Sequence, residues 1–155
     1  MSMDKIFQLR FFILLITLLL MIIGCSQSFS IRTISDETII ISNEWKEINP
    51  KQPLYCDRKI QEILLDILTK HEFEHTQRGI RLQDGSIAIP EIQITSSEGK
   101  IYDLNSRSFL SDSIVLSNKE LPNLTKFEKL RIRCNKPIQI SKMQWICYNF
   151  EDVKR

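Results

Sequence analysis

Glycine is scarce in this chain, with four in 155 residues, and no glycine-rich phosphate loop can be assembled from so few. Histidine is scarcer still, with two. No G-x-S-x-G elbow occurs and no histidine stands ready to serve one, which removes the hydrolase chemistry built on that turn. Charge of one sign does not dominate either. The formal net charge is +2, so no global field steers the chain toward nucleic acid. Long apolar runs are limited to one, FFILLITLLLMII from Phe11 to Ile23, which is 13 residues where a membrane-spanning helix needs about 20. Internal repeats and low-complexity tracts are absent.

That single apolar run is informative. Lys5 and Arg10 precede it against one acid, Asp4, giving the positive n-region and short h-region of a secretory signal peptide. The usual A-x-A-like cleavage site is replaced by Ile22-Ile23-Gly24-Cys25, which resembles the lipobox of bacterial lipoproteins. The resemblance covers residues 1–25 and implies a class of protein, not an activity. It implies a diacylglycerol on the Cys25 thiol, cleavage between Gly24 and Cys25, and acylation of the new amino terminus. Two or three acyl chains, at ~0.8 kcal/mol per buried methylene, hold a protein at a bilayer where one is marginal. An uncleaved signal anchor is the alternative, with Arg10 on the cytoplasmic side and the remainder outside. The lipoprotein reading places the chain in the bacterial cell envelope. Ser26 after the cysteine, unlike an aspartate there, fits sorting to the outer membrane, facing the periplasm.

Residues 1–24 are then the signal peptide, 25–36 the lipidated cysteine and a polar tether, and 37–155 a periplasmic domain. About 130 residues suffice for one domain with its own core. A strand is expected over Thr38–Ser42 and an irregular connection through Pro50 and Pro53. A helix is expected near 57–72, because Ile60, Ile63, Leu64, Ile67 and Leu68 follow helical spacing after Asp57 as N-cap. From Gly79 the period changes to two. Asp84-Gly85 marks one hairpin and Ser97-Glu98-Gly99 a second, while Pro90 shifts the alternation in between. FLSDSIVLS is a further strand. FEKLRIRC turns Leu130, Ile132 and Cys134 one way and Lys129, Arg131 and Arg133 the other; IQISKMQWICYNF follows, with a break expected at Ser141-Lys142. The expected fold is mainly β with one helix, a single antiparallel β-sandwich or jelly-roll-like domain.

Cys56, Cys134 and Cys147 remain after Cys25. An oxidising compartment permits a disulfide, and the odd count leaves a thiol over. A hairpin turning at Asn135-Lys136-Pro137 would hold Cys134 and Cys147 roughly 30 Å apart at ~3.3 Å per residue. A disulfide needs alpha carbons within about 7 Å. Cys56 with either of the others, or three free thiols, stay open.

His71-Glu72-Phe73-Glu74-His75 fits H-E-x-x-H and uses both histidines. On a helix the two imidazoles share a face and bind zinc, and Glu72 acts as general base on the metal-bound water. The pattern lacks a third ligand: the extended form would place it at residue 81, which is Arg81, and the glycine position is Arg78. Glu91 is the nearest carboxylate candidate. A charged helix end also matches these five letters by chance. Lys126, Lys129, Arg131, Arg133 and Lys136 form a basic stripe that could meet lipid phosphates or peptide carboxylates, or simply be a solvated strand face. Trp145 and Tyr148 could stack on a sugar. The functional expectation is a binding or accessory module in an envelope complex, with an envelope protein as partner and a glycan or lipid headgroup as further ligands. An immunity or inhibitor lipoprotein and a zinc hydrolase on HEFEH are the alternatives.

Overall fold

The structure, a computed structural model, describes residues 29–74 and 79–149. Among these residues every regular element is a strand and none is a helix. The largest sheet runs β1 (Phe29–Ser35), β14 (Ile138–Tyr148), β5 (Ile60–Ile67), β12 (Ser113–Ser117) and β11 (Ser106–Leu110), with β2 (Ile39–Ile41) pairing the start of β14. A second sheet runs β10 (Ile101–Leu104), β9 (Pro90–Ser96), β13 (Lys126–Cys134) and β3 (Lys46–Ile48), with β4 (Leu54–Tyr55) on the far end of β13. A small third sheet holds β6 (His71–Glu74), β7 (Gly79–Leu82) and β8 (Ile87–Ala88). All pairings are antiparallel.

The helix expected near 57–72 is instead strand β5, followed by the start of β6. The apolar spacing has another solution. β5 is an interior strand between β14 and β12; Ile63, Leu65 and Ile67 enter the core from one face, while Leu64 packs on the other against Val115 and Ile146. A strand covered on both faces reads as a near-continuous apolar run, and periodicity cannot tell it from a helix. The polar residues agree with the strand. Gln61 is buried on the core side and donates to Pro122 O at 3.1 Å, and Asp66 accepts from Ser113 Oγ at 2.5 Å on the neighbouring strand.

All three sheets supply one core. Trp145, Met143, Ile63 and Leu65 come from the first, Phe127, Leu130, Ile132, Ile92 and Ile94 from the second, and Ile80 and Ala88 from the third. The Phe127 and Trp145 rings meet between the two large sheets with centroids 5.9 Å apart. Gly79 marks how closely the third sheet packs, since a Cβ there would sit 2.7 Å from Ile87 Cγ2 and 2.9 Å from the Ala88 carbonyl oxygen.

Two further expectations change. β13 and β14 do not form a hairpin: residues 135–137 carry the chain from one large sheet to the other. And β1 occupies residues 29–35, most of the stretch expected as tether, paired along β14 with Phe29 opposite Tyr148. The expected hairpin turns at Asp84-Gly85 and Ser97–Gly99 are present, with φ of 82° at Gly85 and 83° at Gly99. FLSDSIVLS contains a hairpin of its own, β11–β12, which turns through Ser111. Of the cysteine pairings left open, the structure holds Cys56–Cys147, with alpha carbons 5.7 Å apart. Cys134 is free and buried, and burial pushes its thiol pKa up, away from the reactive thiolate.

Candidate functional site

His71 and Glu72 stand on β6, opposite Leu82 and Arg81 of β7. In a strand, neighbouring side chains point to opposite faces. Residues 71–74 therefore do not form the helical face on which H-E-x-x-H gathers its ligands, and His75 lies outside the described residues. His71 Nδ1 is 2.5 Å from Thr69 O, so a neutral ring holds its proton there and leaves Nε2 as acceptor. Its ring meets Phe73 edge-on at 4.9 Å, and Phe73 stacks on Phe109 of β11 at 4.5 Å. Arg81, at the position where the extended motif would place a third ligand, forms an ion pair with Glu74. Lys70, His71, Glu72, Arg81, Leu82, Gln83 and Gly85 line an open cleft of about 370 Å³. Among the described residues no group of three or more His, Cys, Asp or Glu side chains converges as a metal site.

The basic stripe is reorganised more thoroughly. Arg131 and Arg133 project from β13 onto the outward face of the second sheet. Arg131 Nε donates to Gln93 Oε1 at 2.5 Å, and Gln93 Nε2 donates to Asp103 Oδ1 at 2.6 Å. With Glu47 opposite Arg131 on β3, one row of planar polar groups crosses four strands. In the adjacent row Arg133 donates twice to Glu91 Oε2, at 2.9 and 2.7 Å. Both guanidinium groups also lie over the Trp45 ring, at 4.8 and 4.5 Å from its centroid. The acids Glu47, Glu91 and Asp103 balance the stripe, so this face is a mixed lattice, not a cationic strip. Lys129 faces Thr95 and stands apart from that lattice.

Trp45 is the residue that sequence reasoning missed. It sits in the connection read as irregular, one residue before β3. The alternation of Trp45 with Glu47 was the available signal, but a three-residue strand is too short to assert a period. Trp145 and Tyr148 are not a sugar platform. Trp145 is buried in the core, and Tyr148, three residues on in a strand, points to the opposite face. There Tyr148 OH donates to Glu62 Oε2 at 3.1 Å. Burial raises the Glu62 pKa, while burial and the Glu62 carboxylate together push the Tyr148 phenol up to about 12.

Gly24 and Cys25 lie outside the described residues. Compared with protein-family models, with curated proteins and with solved structures, the chain matches none. Its function has to be read from its own chemistry.

Proposed function

We propose that this chain is a lipid-anchored protein of the bacterial cell envelope, at the outer membrane, whose β-sandwich domain works by binding a partner protein. The observation that carries the reading is a conjunction. A 13-residue apolar block ends at Gly24-Cys25, and the domain behind it contains the Cys56–Cys147 disulfide. Disulfides of this kind persist in oxidising compartments, which is where an exported lipoprotein resides. The recognition surface we assign is the outward face of the second sheet, around Trp45, Arg131 and Arg133. Tryptophan and arginine carry a disproportionate share of binding energy at protein interfaces. Here Gln93 holds the Arg131 guanidinium and Glu91 that of Arg133, and both groups lie over the Trp45 ring, so little side-chain freedom is lost on association.

The anchor is tested by Cys25→Ser, which should accumulate as unprocessed precursor without a lipid label; normal processing would overturn it. The surface is tested by mild crosslinking in the intact envelope, followed by capture and mass spectrometry. One recurrent partner should be recovered with the native chain and lost with Trp45→Ala combined with Arg133→Ala. Unchanged recovery from that variant would exclude this face. Should the captured partner be a toxin or a hydrolase, the module is an inhibitor of it.

A further inference from the structure

The anchor and the fold are close neighbours in the sequence. Only residues 26–28 separate Cys25 from β1, and four residues of extended chain span at most about 14 Å. Whatever holds Cys25 at a bilayer therefore holds the start of β1 beside it. On the proposed reading of Cys25 as lipidated, one end of the domain must face the membrane, and the register identifies that end.

Phe29 pairs with Tyr148 and Ser30 with Cys147. Cys147 is bonded to Cys56, and the Cys56 carbonyl accepts from Leu124 N at 3.0 Å. Gln61 braces the same loop through Pro122 O and, at 3.4 Å, Asn123 Oδ1. Leu124 is thus fixed at the end where the anchor enters. It is 62% exposed, and its φ of 62° is in the left-handed region. For a bulky residue that conformation is costly, and asparagine or glycine would adopt it more readily. Ile31, two residues into β1, is 51% exposed.

Lone exposed apolar side chains are ordinary. These two differ from Ile40 and Leu68, which are as exposed at the other end of β14, in standing where the anchor enters, and cations stand at this end with them. Lys59 donates its backbone N–H to Asn149 Oδ1, and Lys126 pairs with Tyr55, next to Cys56, so both lysines belong to this end and both are exposed. The nearby acid Asp57 lies 3.8 Å from Arg58.

We propose that this end of the domain is a bilayer-docking surface: Leu124 and Ile31 enter the interface while Lys59 and Lys126 meet anionic headgroups. Apolar side chains at the acyl boundary with lysines above them are the arrangement by which proteins lie on membranes. The occupant is the bilayer carrying Cys25, because the short link leaves this end no other near neighbour of comparable extent.

The test uses the full-length, processed protein reconstituted in vesicles of phosphatidylethanolamine and phosphatidylglycerol with brominated acyl chains. Leu124→Trp reports on the docking end. Ile40→Trp reports on the far end, since Ile40 is opposite Gln139, nine residues along β14 from Tyr148 and about 30 Å away at ~3.3 Å per residue. Emission is read as the difference from the parent protein. The indole of Leu124→Trp should be blue-shifted and quenched several-fold, and that of Ile40→Trp should not. Should Leu124→Trp fail to fold, Ile31→Trp reads the same end. Equal quenching at both ends would overturn the end-on placement. No quenching at either, with lipid on the Cys25 peptide by mass spectrometry, would overturn docking and leave the anchor standing. Absence of lipid on Cys25 would remove the anchor, and docking with it.

Discussion

On the outward side of the six-stranded sheet, Leu64, Val115 and Ile146 pack against one another, with Tyr148 beside them. On the outward side of the five-stranded sheet, central cross-strand positions are taken by Gln93, Arg131 and Glu47. Both faces belong to antiparallel sheets that share one core, yet they are built on different physics. The first excludes water from apolar surface, and each buried side chain there is worth roughly 1.5–3 kcal/mol. The second holds its shape through hydrogen bonds among solvated groups, and exposed pairs of that kind contribute about 0–1 kcal/mol. A face that carries little of the stability is free to change, and so free to recognise. This difference, as much as the presence of Trp45, is why binding is assigned to the five-stranded sheet.

The largest expected effect concerns what ties the two sheets together. Cys56 follows β4 of the five-stranded sheet and Cys147 lies in β14 of the six-stranded one, so their disulfide links elements of both and spans 91 residues. A crosslink of that span restricts the unfolded chain by about 4–5 kcal/mol in the loop-entropy account. Cys56→Ala combined with Cys147→Ala should lower the urea midpoint by a corresponding amount and keep one transition. Two separate transitions would mean that the faces belong to units that unfold independently, and the comparison would have to be drawn between domains.

Next in size is the contrast itself. Leu64→Ala should cost about 2–4 kcal/mol, as large-to-small changes at buried positions do. Arg133→Ala, which removes the contacts to Glu91 and Trp45, should cost less than about 1 kcal/mol. Equilibrium denaturation of the two variants checks both. Equal losses would show that the polar lattice is structural after all, and would weaken its assignment as a recognition surface.

The sequence shows these faces unequally. β13 was legible because residues 129–134, beyond the bulge at Glu128, alternate cleanly between outward and buried positions, and its outward arginines follow from that. The hairpin turns were legible because Asp84-Gly85 and Ser97–Gly99 carry turn chemistry that local conformation requires. β5 was not. Its residues are apolar on both faces because Ile63, Leu65 and Ile67 enter the core while Leu64 packs on the other side against Val115 and Ile146 of the flanking strands, and that is a fact of tertiary structure which no local spacing encodes. The helix reading also underlay the zinc alternative, since H-E-x-x-H gathers its ligands on a helix and residues 71–74 are a strand. The partnership of Arg131 and Arg133 with Trp45 was hidden for another reason. Those residues are more than 80 positions apart in sequence, and only the pairing of β3 with β13 brings them together. The assumed hairpin between β13 and β14 argued correctly against a Cys134–Cys147 bond, but for a reason the fold does not share.

The smallest expected effect probes the polar edge of the apolar face, where Tyr148 and Glu62 meet. The phenol is pushed up to about 12 from 10.0, by burial first and then by the neighbouring carboxylate. A raised value means that the fold favours the protonated phenol. The stability this contributes is complete below pH 10 and is lost as pH rises through about 12. Glu62 has the same sign: its pKa is raised, chiefly by burial, so its carboxyl favours the fold while protonated and less once ionised. In an alkaline absorbance titration, the Tyr148 phase should appear near about 12, and Tyr148→Phe should abolish it. Glu62→Gln should move that phase down only part of the way, because burial, the larger cause, remains. A full return to the ordinary tyrosine range would mean that the carboxylate alone sets the shift. It would also mean that the patch formed by Leu64, Val115 and Ile146 does not extend dry surface as far as Tyr148.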